Sequence, residues 1–277
     1  MNDAAFLDML RAVTGPDAVL TGADMAGYAI DWRKLFPGKP LGVVRPKTTA
    51  EVAALVKACA ASGVEIVPQS GNTGMAGGAS PDGSGRQIVL SLQRMNAIRA
   101  VDPVGMTMEV EAGLVLQTAK EAAAEKGRFL PVSFAAEGSA MVGGVISTNA
   151  GGINVLRYGM TRAMVLGLEV VLPDGTIVNG LRRLRKDNAG YDWKQVFIGA
   201  EGTLGIVTAA VLRLVPKPRH VTTALIAVES PEAALRLLDL AQTEIGDALS
   251  AFELIAGASL ALVEKHKGLK APIRAGN

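Results

Sequence analysis

Cys59 is the only cysteine among the 277 residues, so no internal disulfide can form. Histidine is almost as scarce. His220 stands beside a Pro-Lys-Pro linker and His266 in a lysine-rich stretch, and no H-x-x-x-H or H-E-x-x-H spacing offers a metal site. Both read as surface residues. Aromatic residues make up 4% of the chain, too few for a base-stacking platform, and a formal net charge of +2 argues against nucleic acid as a partner. The positive residues are scattered except at Arg182-Arg183-Leu184-Arg185-Lys186, which reads as a solvated loop. No apolar run approaches the roughly 18 residues of a membrane span. The acidic, alanine-rich start lacks the basic and apolar regions of a signal peptide, so the expected compartment is cytoplasmic.

What the chain has instead is apolar residues, 49% of the total, and 32 glycines. A chain this long can bury a sizeable core and hold more than one domain. Val52, Leu55, Val56 and Cys59 fall on one helical stripe, which places the lone thiol in a core. Gly42 to Arg45 reads as a strand stopped by Pro46. Thr48-Thr49-Ala50-Glu51 is a capping box opening a helix to about Ser62, closed by Gly63. Val64 to Val67 then completes a βαβ unit, and Ile88 to Leu92 adds a further strand.

A second lobe begins near Ala100. Thr107 to Glu111 alternates with strand period, and Val115 to Lys126 carries a helical pattern ending at Gly127. Val165 to Leu172 and Thr176 to Asn179 flank the turn Pro173-Asp174-Gly175. After Pro216-Lys217-Pro218 the pattern predicts a strand at Ala224 to Val228 and a helix opened by Ser230-Pro231-Glu232. A strand at Ala248 to Leu254 and a helix at Ser259 to Lys265 follow.

Three glycine-dense segments stand out. The first, Pro68-Gln69-Ser70-Gly71-Asn72-Thr73-Gly74-Met75-Ala76-Gly77-Gly78, follows directly on an apolar strand, a frequent place for ligands in α/β folds. Glycine there accepts positive φ and lets a ligand approach backbone N–H groups. The spacing is neither G-x-G-x-x-G nor G-x-x-x-x-G-K-[ST]. The second runs from Gly138-Ser139 through Gly143-Gly144 to Ser147-Thr148-Asn149-Ala150-Gly151-Gly152, with Val142, Val145 and Ile146 at helical spacing, and reads as a Gly-Gly helix over 143–152. Each glycine inside a helix costs about 1 kcal/mol relative to alanine unless something packs on the backbone. The third, Ile198 to Thr208, is a tight turn around Glu201-Gly202-Thr203-Leu204-Gly205 leading into a strand at Ile206. One extended ligand touching all three is the economical explanation, and a purely structural role in packing is the alternative.

On these motifs the chain resembles flavoproteins of the vanillyl-alcohol oxidase and p-cresol methylhydroxylase fold. Within them it is similar to the FAD-linked oxidase branch that holds the D-lactate, glycolate and D-2-hydroxyglutarate dehydrogenases. The resemblance runs from about Leu41 to Pro218. It is carried by the glycine segments, Arg157-Tyr158-Gly159, Val165 to Leu172, the run Leu184-Arg185-Lys186-Asp187-Asn188-Ala189-Gly190-Tyr191-Asp192, and Glu201 to Ile206. Ser70 departs from the pattern, since many relatives have glycine there, yet serine keeps the backbone N–H.

The resemblance implies an α+β, two-lobed p-cresol methylhydroxylase-type FAD-binding domain followed by the start of an α/β cap domain. Its divisions are a helical or irregular segment 1–37, an FAD-binding domain 38–218 with lobes of about 38–98 and 99–218, and a partial substrate or cap domain 219–277. It further implies that Pro68, Gln69, Ser70, Gly71, Asn72, Thr73, Gly74, Gly77 and Gly78 cradle the pyrophosphate. Pro131, Gly138, Ser139, Gly143, Gly144, Ser147, Thr148, Asn149, Gly151 and Gly152 would run along the flavin and ribityl chain. Glu201, Gly202, Gly205 and Ile206 would lie near either the adenine half or the dimethylbenzene edge. With no histidine in the first two segments, the FAD is expected to be noncovalent.

The implied reaction is hydride transfer from Cα of a D-2-hydroxy acid to the flavin, with a quinone, an electron-transfer protein or oxygen as electron acceptor. No catalytic residue and no metal ligand is assignable, because the resemblance places those groups in a later half. Asp187, Asn188 and Tyr191 suit turn chemistry, with cofactor or substrate contact as the alternative. An incomplete cap is expected to expose apolar surface and favour a homo-oligomer or a complementing subunit. A flavin-binding subunit without independent catalysis is the alternative function.

Overall fold

The computed structural model describes residues 2–270 and Ile273, so the end of the 219–277 segment lies outside the described residues. Helix α1 (Asp3–Thr14) starts where the Asn2 side chain accepts the Ala5 N–H, and its Phe6 and Leu10 are buried. Strands β1 (Val19–Leu20) and β2 (Gly42–Val44) pair antiparallel. Helix α2 (Thr49–Ser62) opens with Thr48 accepting the Glu51 N–H at 3.1 Å, while the Glu51 carboxylate accepts from Lys47 N at 2.7 Å. The capping box is therefore present, with its return bond displaced by one residue. Gly63 ends the helix at φ 64°, a left-handed value that glycine adopts without a Cβ clash.

Strands β3 (Glu65–Gln69) and β4 (Gln87–Ser91) complete the first sheet, in the order β1-β2-β4-β3 with β2, β4 and β3 parallel. The later strand β4 thus inserts between the two strands that α2 connects. Behind them Val52, Leu55, Val56 and Cys59 of α2 pack with Phe6, Leu10, Ile88 and Leu90 in one core, as the helical stripe requires. Burial of each such side chain stabilises by about 2 kcal/mol.

The second lobe holds β5 (Ile98–Asp102), β6 (Thr107–Glu111), α3 (Leu116–Glu125), β7 (Arg128–Phe129), α4 (Val142–Ser147), α5 (Val155–Tyr158) and α6 (Thr161–Met164). These are followed by β8 (Val165–Val171), β9 (Ile177–Gly180), α7 (Lys194–Phe197), β10 (Ile206–Arg213) and β11 (Val215–Pro216). Its main sheet is antiparallel in the order β5-β6-β10-β8-β9, and β7 pairs with β11. Met108, Val110, Leu168, Val170, Ala210 and Leu212 alternate onto one face and pack against α3 and α4. Val171 and Ile206, at the ends of β8 and β10, join the core of the first lobe instead, so the lobes are fused by apolar contact.

Two expectations for the chain beyond Pro218 fail. Helices α8 (Pro231–Ile245), capped by Ser230, and α9 (Gly257–Lys267) form, but residues 224–228 and 248–254 are not strands. A strand needs a neighbour to take its N–H and C=O groups, and neither segment has a ladder partner among the described residues. The Gly-Gly helix is also shorter than the 143–152 expected. It ends at Ser147, because the Thr148 hydroxyl turns back to Gly144 O at 2.9 Å and Asn149 takes φ 47°.

Candidate functional site

The first glycine segment leaves the carboxyl end of β3 at Gln69, whose buried amide donates to Tyr28 O (3.0 Å) and Ala79 O (2.8 Å) and so pins both ends of the loop. Asn72, at φ 50°, donates from Nδ2 to Ile30 O at 2.8 Å. These two side chains brace the loop and leave its N–H groups for other partners. The rim they grip is rigid. Buried Asp31 accepts the N–H groups of Arg33, Leu35 and Phe36 at 2.9, 2.7 and 2.7 Å. Desolvation pushes the Asp31 carboxyl up, but those three N–H bonds prevail and hold it below the ordinary value.

The three glycine segments touch one another. A Cβ on Gly71 would lie 2.2 Å from Ser139 O, and Cβ atoms on Gly143 and Gly144 would each lie 3.3 Å from a side-chain atom of Ser70. From the third segment, Gly202 meets the Pro68 ring and the Glu201 carboxylate faces Gly78, each 3.1 Å from a Cβ placed on the glycine. Glu201 N donates to Ser147 O (2.9 Å) and Gly199 N to Ile146 O (3.2 Å). Pro68, Ser70, Gly71, Gly78, Ser139, Gly143, Gly144, Ser147, Glu201 and Gly202 thus form one contiguous surface. Glu201 at φ 52° is a strained non-glycine, held there by its bond to Ser147.

The remaining residues of the set have the following surroundings in the fold. Gly151 packs on the Met160 thioether, Gly152 packs on Ser133 O, and Pro131 O accepts from Asn154 Nδ2. Gly205 lies against Val170 and Val171, and Ile206 starts β10. Thr73 is half-buried, and Gly77 carries the Phe36 ring. A cavity of about 240 Å³ lies behind the third segment, walled by Cys59, Ile66, Pro68, Val171, Gly202 and Ile206. Burial pushes the Cys59 thiol up to about 12, so it is a neutral wall residue.

Residues 40–180, about half of the chain, match the profile of the family described as FAD binding domain. The chain belongs to this FAD-binding family. Its cofactor is FAD, and the resemblance to p-cresol methylhydroxylase-type FAD oxidases holds. The chain is 41% identical to the mitochondrial D-2-hydroxyglutarate dehydrogenase of Bos taurus over 95% of its own length and 47% of that protein's. It is 37% identical to the D-2-hydroxyglutarate dehydrogenase of Stutzerimonas stutzeri over 98% of itself and 58% of the relative. It therefore spans about half the length of the relatives it matches. Among solved structures an alkyldihydroxyacetonephosphate synthase superposes with a TM-score of 0.71 at 24% identity, covering 79% of this chain and 42% of that one, which speaks for the fold alone. The cytoplasmic expectation is overturned, because the relatives from Bos taurus, Danio rerio and Rattus norvegicus are named as mitochondrial.

The small residues of this surface fit an elongated ligand lying close to the backbone. Gly74 and Gly138 are exposed at its lip, and a Cβ on either would meet nothing within 4 Å, which leaves room directly over the backbone. The small side chains of Ser70, Thr73 and Ser139 keep that approach open.

Among the described residues no three His, Cys, Asp or Glu side chains cluster as metal ligands, and His220 and His266 are exposed. Asp187 pairs with Arg182 at 3.0 Å and Tyr191 is 96% exposed. The bracing residues Tyr28 and Asp31 carry no spacing signal and were not legible as site residues.

Proposed function

We propose that residues 68–78, 138–149 and 201–206 hold FAD noncovalently and that the chain is the flavin-binding part of a D-2-hydroxy acid dehydrogenase. The observation that carries this reading is the mutual contact of three glycine segments that lie far apart in sequence, in a chain of the FAD-binding family. The loop after β3 supplies backbone N–H groups for the diphosphate, since its side-chain amides are spent on bracing. The apolar cavity behind Gly202 supports placing the adenine end there rather than the dimethylbenzene edge.

FAD, when bound, supplies a two-electron acceptor for the hydride on Cα of the hydroxy acid. The chain orients it and excludes water along 138–149. Relatives named for D-2-hydroxyglutarate and for D-lactate support a substrate of the D-2-hydroxy acid class, and a quinone, an electron-transfer protein or oxygen would take the electrons. A second reading is a flavin-binding subunit without turnover of its own. Anaerobic addition of D-2-hydroxyglutarate to the FAD-loaded chain separates the two. Bleaching of the flavin band supports the dehydrogenase, and a band that stays oxidised supports the subunit.

A further inference from the structure

We infer that Arg162 is a positioning residue of the flavin site, locking the second and third glycine segments into one wall. The inference rests on the FAD reading above. Helix α6 begins beside the second segment, where Thr161 donates to Ala150 O from both N (3.1 Å) and Oγ1 (2.6 Å). The next residue, Arg162, donates its own N–H to Asn149 Oδ1 at 2.9 Å, which holds Asn149 in its left-handed conformation at φ 47°.

Its side chain then crosses to the third segment. Nη1 donates to Gln195 Oε1 (2.6 Å) and to Gln195 O (2.8 Å), and Nη2 donates to Ile198 O. Directly after Ile198, Gly199 N and Glu201 N return to Ile146 O and Ser147 O, closing the circuit. A Cβ on Gly199 would be 3.5 Å from both Arg162 Nη2 and Asn149 Cβ, so the guanidinium lies in the seam itself. Only a planar fork reaches carbonyls at 195 and 198 together; a lysine ammonium keeps the charge but cannot span them. Among the described residues no carboxylate pairs with Arg162, and all its acceptors are neutral. Its full positive charge therefore also favours an anionic ligand on the wall.

The test compares the whole chain with R162K, R162Q and Q195A variants by FAD titration, visible circular dichroism of the bound flavin at saturation, and melting of the apoprotein. R162K is expected to weaken FAD binding at least ~10-fold, about 1.4 kcal/mol, and to change the flavin dichroism while apoprotein melting stays close to wild type. R162Q, which loses the charge as well, is expected to bind more weakly still. Wild-type affinity and dichroism in R162K would overturn the inference. If R162K does not fold, Q195A decides: it removes one acceptor, so weaker binding with altered dichroism supports the role, and unchanged values overturn it. A wild-type chain that binds no FAD fails the underlying reading, a result visible before any variant is compared.

Discussion

Thr49, the first residue of α2, donates its hydroxyl to the carboxylate of Glu169 in β8 at 2.6 Å, across the junction of the two lobes. Glu169 is only 7% exposed, and its oxygens also accept from Thr208 Oγ1 (2.9 Å), Asn179 Nδ2 (3.3 Å) and Arg99 (3.5 Å). Donors from both lobes thus surround one buried acidic group, next to the shared apolar contacts of Val171 and Ile206. The glycine surface is built across that same junction, so its shape depends on how firmly the lobes are held.

Removal of this carboxylate should loosen the joint. Glu169→Ala leaves the Thr49 hydroxyl and the Asn179 amide without this acceptor, while Thr208 Oγ1 keeps the main-chain O of residue 169 at 3.3 Å, and we expect a loss of about 2–4 kcal/mol, with Glu169→Gln losing about half of that. Urea unfolding of the apoprotein measures both. Arg99 keeps Glu111 at 3.2 Å in either variant, so a loss no larger than that of a surface pair would count against the joint.

Gly71 and Gly74 make a matched pair. An alanine methyl at Gly71 would strike Ser139 O at 2.2 Å, so Gly71→Ala should part the first two segments and lower both stability and flavin retention. Gly74 has nothing within 4 Å of its Cβ position, so Gly74→Ala should melt like wild type yet bind FAD at least ~10-fold more weakly, because the methyl occupies ligand space. Equal FAD affinity for Gly74→Ala and wild type would move the ligand away from this lip.

Cys59 provides a pH test. Burial raises its thiol in the fold to about 12, above the roughly 8.5 of an exposed thiol. The neutral thiol is the form the fold accommodates, so its contribution is complete below about 8.5 and is lost as pH rises towards about 12. At neutral pH a thiol reagent should label the native chain slowly and the unfolded chain stoichiometrically. Rapid labelling of the native chain would contradict the buried, protonated state.

The helices beyond Pro218 expose apolar side chains, with Leu235, Leu240 and Ile245 of α8 at 65%, 57% and 52%. Association is the expected outcome, through a second copy or a complementing polypeptide. Light scattering behind size-exclusion chromatography should give a mass above that of one chain. A monodisperse monomer would argue against it.

The parts of the fold that local rules govern were legible. Thr48 and Gly63 bound α2, Val52 to Cys59 mark its buried stripe, and Pro173-Asp174-Gly175 joins β8 to β9, because caps, periodicity and turn chemistry each act within a few residues. Residues 224–228 and 248–254 have strand composition but no ladder partner among the described residues, and pairing is a property of two segments that one segment cannot reveal. The insertion of β4 between β2 and β3 escaped the sequence for the same reason.

The glycine segments were visible as composition. The contacts of Gly71 with Ser139 and of Gly202 with Pro68 give them a common surface. Asp31 and Arg162 went unseen because each acts through backbone groups of another segment, and no spacing rule encodes that.

The central claim is that three separated glycine segments make one FAD site. Its most direct test is the visible spectrum of the chain incubated with FAD and passed through a desalting column, with Gly74→Ala and R162K run in parallel. We expect one flavin per chain to travel with the wild-type protein, with a shifted and structured band, and to be largely stripped from both variants. A wild-type protein peak free of flavin would contradict the account.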